Sequence, residues 1–87
     1  MEISKEQLSE IRFPKTDVLH IQQQEERTQL LKNAMLAGNL YKTKTTIEFQ
    51  TQYGLRSVTT TIWHCTDKHV VLKGGRVIPV HAIVAVR

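Results

Sequence analysis

Several residue types are scarce in this chain of 87 residues, and each scarcity excludes a class of structure. A single cysteine, Cys65, excludes an internal disulfide and fits a reducing compartment. With two Phe, two Tyr and one Trp, the core must come mostly from Val, Ile, Leu and Thr. No apolar run is long enough to cross a bilayer, and no apolar segment follows a basic start. We therefore expect a cytoplasmic protein with no membrane partner.

Acidic residues are scarce in the second part of the chain. Residues 39–87 hold seven Lys/Arg against two Asp/Glu, whereas residues 1–38 hold five against six. A basic surface favours anionic partners, because bound phosphates release counterions. A net charge of +4 is also common on an ordinary soluble domain, which is the simpler interpretation. Composition alone therefore leaves a nucleic-acid partner open without requiring one.

Helical patterns occupy the N-terminal part of the chain. Ser4 and Gln7 have the spacing of a capping box, which predicts a short helix over residues 4–12 within an N-terminal extension of residues 1–21. The main helix is predicted over residues 22–38, with Gly38 as the glycine that ends it. Its Gln/Glu-rich first half should be solvated. The apolar stripe that should dock on a sheet is Leu30, Leu31, Ala34 and Met35.

The C-terminal pattern is short alternating runs separated by tight turns, and it predicts five strands within residues 40–87. The predicted strands are 40–50, 55–64, 69–73, 76–80 and 83–86. Because the connections are so short, the sheet must bend strongly. We therefore predict a single α+β domain, residues 1–87, with one or two N-terminal helices packed on a strongly bent five-stranded antiparallel sheet or small barrel. The predicted core is Ile47, Phe49, Val58, Ile62, Val70, Leu72, Ile78 and Ile83.

No residue pattern indicates catalysis. His64, Cys65, Asp67 and His69 lie close in sequence, but their spacing is not that of a tetrahedral metal site. Adjacent strand residues point to opposite faces, so His64 cannot readily activate Cys65. The chain also lacks a phosphate-binding glycine motif and a nucleophile turn. We predict no catalytic residue, no metal, no cofactor and no enzyme activity.

Four segments of the chain match the motifs of a known family. They are Leu30 to Leu36 in the helix, the turn glycine Gly54, the run Val70-Val71-Leu72-Lys73, and Pro79 to Val86 with His81-Ala82-Ile83. With one helix followed by five short strands, the chain resembles the Sm-like small β-barrel family, which includes the bacterial RNA chaperone Hfq. The resemblance covers about residues 29–87 and is a likeness at the level of the fold. Val80 stands where the family's second motif has a lysine, and no glycine lies inside the second strand.

The resemblance implies a non-enzymatic module that contacts single-stranded RNA through a basic rim. His81 matches the family's uridine pocket, and His69 lies where that pocket has a stacking aromatic. The candidate nucleic-acid-binding residues are Lys42, Lys44, Arg56, Lys68, His69, Lys73, Arg76 and His81. Trp63 can either stack a base or complete the core beneath the helix, and the core interpretation is favoured.

The alternative function is protein–protein interaction through a sheet edge or the N-terminal helices. The apolar last strand and the N-terminal extension favour this interpretation. Sm-like rings pair the fourth strand of one subunit with the fifth strand of the next. Pro79 removes one donor from the fourth strand. We therefore expect a monomer or small oligomer instead of a ring.

Overall fold

Six short strands and one long helix form most of the chain in the computed structural model, which describes residues 1–87. In chain order the elements are a 3₁₀ helix (Lys5–Glu10), helix α1 (Ile21–Tyr41), strands β1 (Thr45–Thr51), β2 (Gly54–Thr60), β3 (Ile62–Cys65), β4 (His69–Leu72) and β5 (Val77–Pro79), a 3₁₀ turn (Val80–Ala82) and strand β6 (Ile83–Val86). The predicted α+β class is confirmed. The one long helix lacks the apolar character that a membrane-crossing helix requires.

The strands form two antiparallel sheets of three strands each, in the orders β2-β1-β6 and β3-β4-β5. The prediction of five strands in one sheet or closed barrel is therefore wrong. The difference arises at Thr61, where the predicted strand 55–64 divides into β2 and β3. Thr60, Thr61 and Ile62 are all buried, so the in-and-out alternation of a flat strand fails there. The Lys73 N–H donates to the Thr61 carbonyl over 2.9 Å, which ties this bend to the turn after β4.

The core follows the alternating pattern of the sequence. The eight predicted core residues are the eight largest fully buried side chains of the chain. Leu31 of α1 and Leu8 of the first 3₁₀ helix join this cluster, and Phe13 packs on Phe49 with ring centroids 5.9 Å apart. Burial of these apolar side chains is the main favourable term in folding.

Helix α1 is longer than predicted. It continues past Gly38 to Tyr41 and ends at Lys42, which adopts the left-handed conformation (φ 56°, ψ 33°) usual for a residue after a helix. Gly38 is instead buried against strand β3. Of the predicted docking stripe, Leu31 is buried, Ala34 and Met35 are partly buried, and Leu30 is exposed. The stripe is therefore narrower than predicted.

The N-terminal extension packs along the sheet formed by β2, β1 and β6. Residues 5–10 form a 3₁₀ helix where an α-helix over 4–12 was predicted, and the Ser4 N–H donates to the Gln7 side chain as a capping box requires. The Ile3 N–H donates to the Ser57 carbonyl, and the Ser57 N–H donates to the Met1 carbonyl. These bonds cover part of the outer edge of β2. Further along, the Val18 N–H donates to the carbonyl of His81, just before β6.

The outer edge of β5 contains Pro79, and this position carries our prediction about assembly. The Val80 N–H points inward and donates to the Lys68 carbonyl. Because successive residues of a strand direct their backbone nitrogens to opposite sides, the Pro79 nitrogen faces the open edge of the sheet. An incoming strand would find one donor missing there. We expect light scattering under native conditions to give a mass at or near the 10.0 kDa of one chain, or a small multiple of it. A mass of six or seven subunits would contradict this prediction.

Candidate nucleic-acid interface

The eight candidate residues do not form one continuous site. Lys42, Lys44 and Lys73 line one groove at the C-terminal end of helix α1. Lys68, His69 and His81 line a separate cavity beside the N-terminal half of the same helix. Arg56 of β2 and Arg76 of the β4–β5 turn line neither. The Arg56 guanidinium donates to the carbonyl of its neighbour Leu55. The structure therefore groups six of the eight residues into two sites of different character.

The first site, which we call the basic groove, has a volume of about 380 Å³. Three separate parts of the chain build it: the end of α1 with the segment leading to β1, the bend between β2 and β3, and the turn after β4. Its lining residues are Gly38, Asn39, Lys42, Lys44, Thr61, Trp63 and Lys73.

Local backbone geometry places the lysines at the groove. The left-handed conformation of Lys42 turns the chain away from the α1 axis, and its N–H donates to the carbonyls of Ala37 and Gly38. A residue with a Cβ pays about 1–2 kcal/mol for this conformation. Lys73 precedes Gly74 and Gly75, whose positive φ angles of 91° and 88° form the tight turn after β4. The bond from the Lys73 N–H to Thr61 then holds this turn against the bend.

The basic groove carries positive charge that no acid compensates. None of its lining residues is Asp or Glu, and the two ion pairs of the chain, Arg27–Asp17 and Arg87–Glu48, involve none of its lysines. All three lysines are exposed. Three neighbouring ammonium groups without a counter-charge produce a positive potential that attracts an anionic ligand.

Trp63 lines the same groove, and its predicted role in the core is wrong. The residue is 48% exposed. On β3, Ile62 faces the core, and the register with β4 shifts between Ile62 and His64, so that Trp63 and His64 both face solvent. The sequence signal for this was the alternation itself, which also placed Val58, Thr60 and Ile62 on the buried face. Asn39 and Thr61 are further groove residues that the sequence analysis did not single out.

The second site is a cavity of about 670 Å³ with mixed charge. Lys68 and His69 line it together with three carboxylates, those of Asp17, Glu25 and Asp67. His81, which also lines it, already has a partner, because its Nε2 atom lies 2.5 Å from the Pro14 carbonyl oxygen. The carboxylates oppose a phosphate here, so this cavity suits a polyanion less well than the basic groove does.

A buried ion pair closes one side of this cavity. The Arg27 guanidinium is 5% exposed and donates to both carboxylate oxygens of Asp17, over 3.0 and 2.6 Å, and to the Ile83 carbonyl over 3.0 Å. The hydrogen bonds from Arg27 hold the pKa of Asp17 below its ordinary value, although desolvation opposes the shift. Arg27 therefore anchors residues 14–19 to the fold and is not free to bind a ligand.

Cys65 is half-buried and packs against helix α1. Burial raises the pKa of the Cys65 thiol above its ordinary value, and its Sγ atom lies 3.8 Å from the Met35 sulfur. A protonated, half-buried thiol is a poor nucleophile. The structure gathers no group of three or more His, Cys, Asp or Glu side chains able to hold a metal ion.

Comparison with models of known protein families, with curated proteins and with solved structures gave no match.

Proposed function

We propose that this chain is a non-enzymatic binding module that holds a segment of single-stranded RNA in the basic groove. The observation that carries the proposal is the meeting of Lys42, Lys44 and Lys73, from segments about 30 residues apart, around one groove that contains no acid. A phosphate backbone is the polyanion that such a groove fits, since each neutralised phosphate releases condensed counterions.

The Sm-like resemblance is part of this proposal. If β2 and β3 are counted as one strand bent at Thr61, the chain has a helix followed by five strands, which is the order of that family. The bend lies in the strand that is bent in the family, although this chain has Thr61 at the bend and the family has a glycine in that strand. His81 is the one residue that matches the family's uridine pocket, and it is already hydrogen-bonded to the Pro14 carbonyl oxygen. We therefore assign RNA to the basic groove and not to that pocket.

The test compares two variants that lose the same net charge. In the first, Lys42, Lys44 and Lys73 are all replaced with Gln, which removes the charge of the groove. In the second, the exposed lysines Lys15, Lys32 and Lys68 are replaced with Gln, which removes three charges elsewhere. Fluorescence anisotropy with a labelled single-stranded oligonucleotide should show an affinity about ten-fold lower for the groove variant, with a shallower dependence on salt. The second variant should stay close to wild type.

Equal losses in the two variants would mean that net charge, and not the groove, attracts the oligonucleotide. Absence of binding to the wild-type chain at low salt would remove the proposed function altogether. Thermal unfolding of both variants provides the control for folding, because the six lysines are exposed and their replacement should change stability little.

The alternative function, a protein-interaction module, is favoured by one observation. Leu36 and Leu40 are four residues apart on α1 and are both exposed, as is the adjacent Tyr41. Helix faces of this kind dock into apolar grooves of partner proteins. The alternative gains support if the groove variant binds the oligonucleotide as tightly as wild type.

A further inference from the structure

The only tryptophan of the chain is half exposed, at 48%, on a strand whose other apolar residues face inward. An indole contributes more to stability when it is buried, so its position on the surface calls for an explanation. Trp63 also lies within the basic groove, beside the three lysines. An aromatic face next to uncompensated ammonium groups matches the two repeating parts of a single-stranded nucleic acid, its bases and its phosphates.

The backbone that carries Trp63 is held from two sides. Strand β3 is paired with β4 on both sides of Trp63, where Ile62 opposes Leu72 and His64 opposes Val71, and Trp63 is the extra residue of a bulge between these two pairs. On its other side, α1 packs so closely that a Cβ on Gly38 would lie 2.6 Å from the Ile62 carbonyl oxygen. Trp63 therefore stands in a bulge that is fixed by the pairs on either side of it and by the neighbouring helix. When a ligand stacks on Trp63, the protein backbone therefore loses little additional conformational entropy.

We propose that Trp63 is the stacking surface for one unpaired nucleobase, with Lys42, Lys44 and Lys73 neutralising the flanking phosphates. This inference rests on the proposed function. It adds recognition of the base, which the lysines do not contact. Lysines contact any phosphate backbone, whereas a base face is available only where the base is unpaired. Stacking therefore makes the groove selective for single strands over duplexes, with little dependence on sequence.

Because Trp63 is the only tryptophan, its fluorescence reports on this site alone when the excitation avoids Tyr41 and Tyr53. Three probes of equal length separate stacking from charge: an oligouridylate, an abasic ribose-phosphate oligomer and an RNA duplex. Anisotropy of an end label measures how much of each probe is bound. At equal occupancy, the oligouridylate should quench the Trp63 emission, and the abasic oligomer should leave it unchanged. The duplex should bind more weakly and quench little.

Two substitutions complete the experiment. Trp63→Ala should lower affinity for the oligouridylate about ten-fold, while its salt dependence and the affinity for the abasic oligomer stay as in wild type. Trp63→Phe keeps an aromatic face and should retain part of the affinity. Because the side chain is half exposed, both variants should fold, and thermal unfolding checks this.

Several outcomes overturn the inference and leave the lysine groove standing. They are oligouridylate binding without quenching, equal quenching by the abasic oligomer, and an affinity of Trp63→Ala equal to that of wild type. If no oligonucleotide binds, the inference and the proposed function fail together. Quenching by a partner protein instead of RNA would assign Trp63 to the alternative, as an anchor for protein binding.

Discussion

Replacing Asp17 with Asn should lower the free energy of unfolding by about 2–3 kcal/mol, because it leaves the Arg27 guanidinium charged and buried without its counter-ion. Arg27 is 5% exposed, and its Nε atom has no hydrogen-bond partner even in the wild-type chain. The Asp17 side chain is 23% exposed, which places the expected loss at or below the lower end of the range for fully buried pairs. Denaturant unfolding of the two proteins measures the difference.

The second ion pair of the chain provides a matched control. Arg87 and Glu48 also form a close pair, but the Arg87 side chain is 65% exposed. Solvent screens such a pair, so Glu48→Gln should cost less than about 1 kcal/mol. Combining Asp17→Asn with Arg27→Met removes both charges and should recover part of the lost stability. If Asp17→Asn costs no more than Glu48→Gln, the buried pair does not anchor residues 14–19.

The same pair predicts how stability depends on pH. Arg27 lowers the pKa of Asp17 in the folded chain below its ordinary value of 3.8, so the unfolded chain binds the proton more readily. The stabilisation is therefore fully present above the unfolded pKa and is lost as the pH falls through it toward the folded value. The difference in unfolding free energy between wild type and Asp17→Asn should narrow over that acidic range.

Gly38→Ala should destabilise the fold by about 2 kcal/mol, although alanine is the better helix former. The new Cβ would lie 2.6 Å from the Ile62 carbonyl oxygen and 3.1 Å from Thr61 Cγ2. The first of these contacts is with backbone, so α1 and β3 must separate to relieve it. The gain in helix propensity, about 1 kcal/mol, offsets only part of the strain. Urea unfolding measures the net effect, and the Trp63 emission should shift because the indole lies in the same groove.

Asn39→Ala is the control for this prediction. Asn39 is the next residue of α1 and is exposed, so alanine there should leave stability unchanged or raise it slightly. If Gly38→Ala behaves in the same way, the helix can shift on the sheet without cost. The close contact between α1 and β3 would then not determine the position of Trp63.

The alternation of apolar residues was enough to predict the core of this protein. Ile47, Phe49 and Val58 are examples of positions whose burial follows from a period of two, since a strand with one buried face admits few other registers. The turn glycines Gly54, Gly74 and Gly75 were equally readable, because their positive φ angles favour residues without a Cβ. These features depend on neighbours within a few residues, and such information is present in the sequence.

Only the tertiary structure decided where elements break or end and which distant residues meet. Thr59-Thr60-Thr61 has strong strand propensity, yet contacts with Lys73 and Gly38 place the bend at Thr61. Arg27 lies in a helical segment that was predicted to be solvated, but Asp17 and the Ile83 carbonyl bury it. The groove that joins Trp63 to three lysines likewise requires chain segments far apart in sequence to come together. Local propensity carries no information about such contacts, because their energies arise only when the sheets and the helix pack.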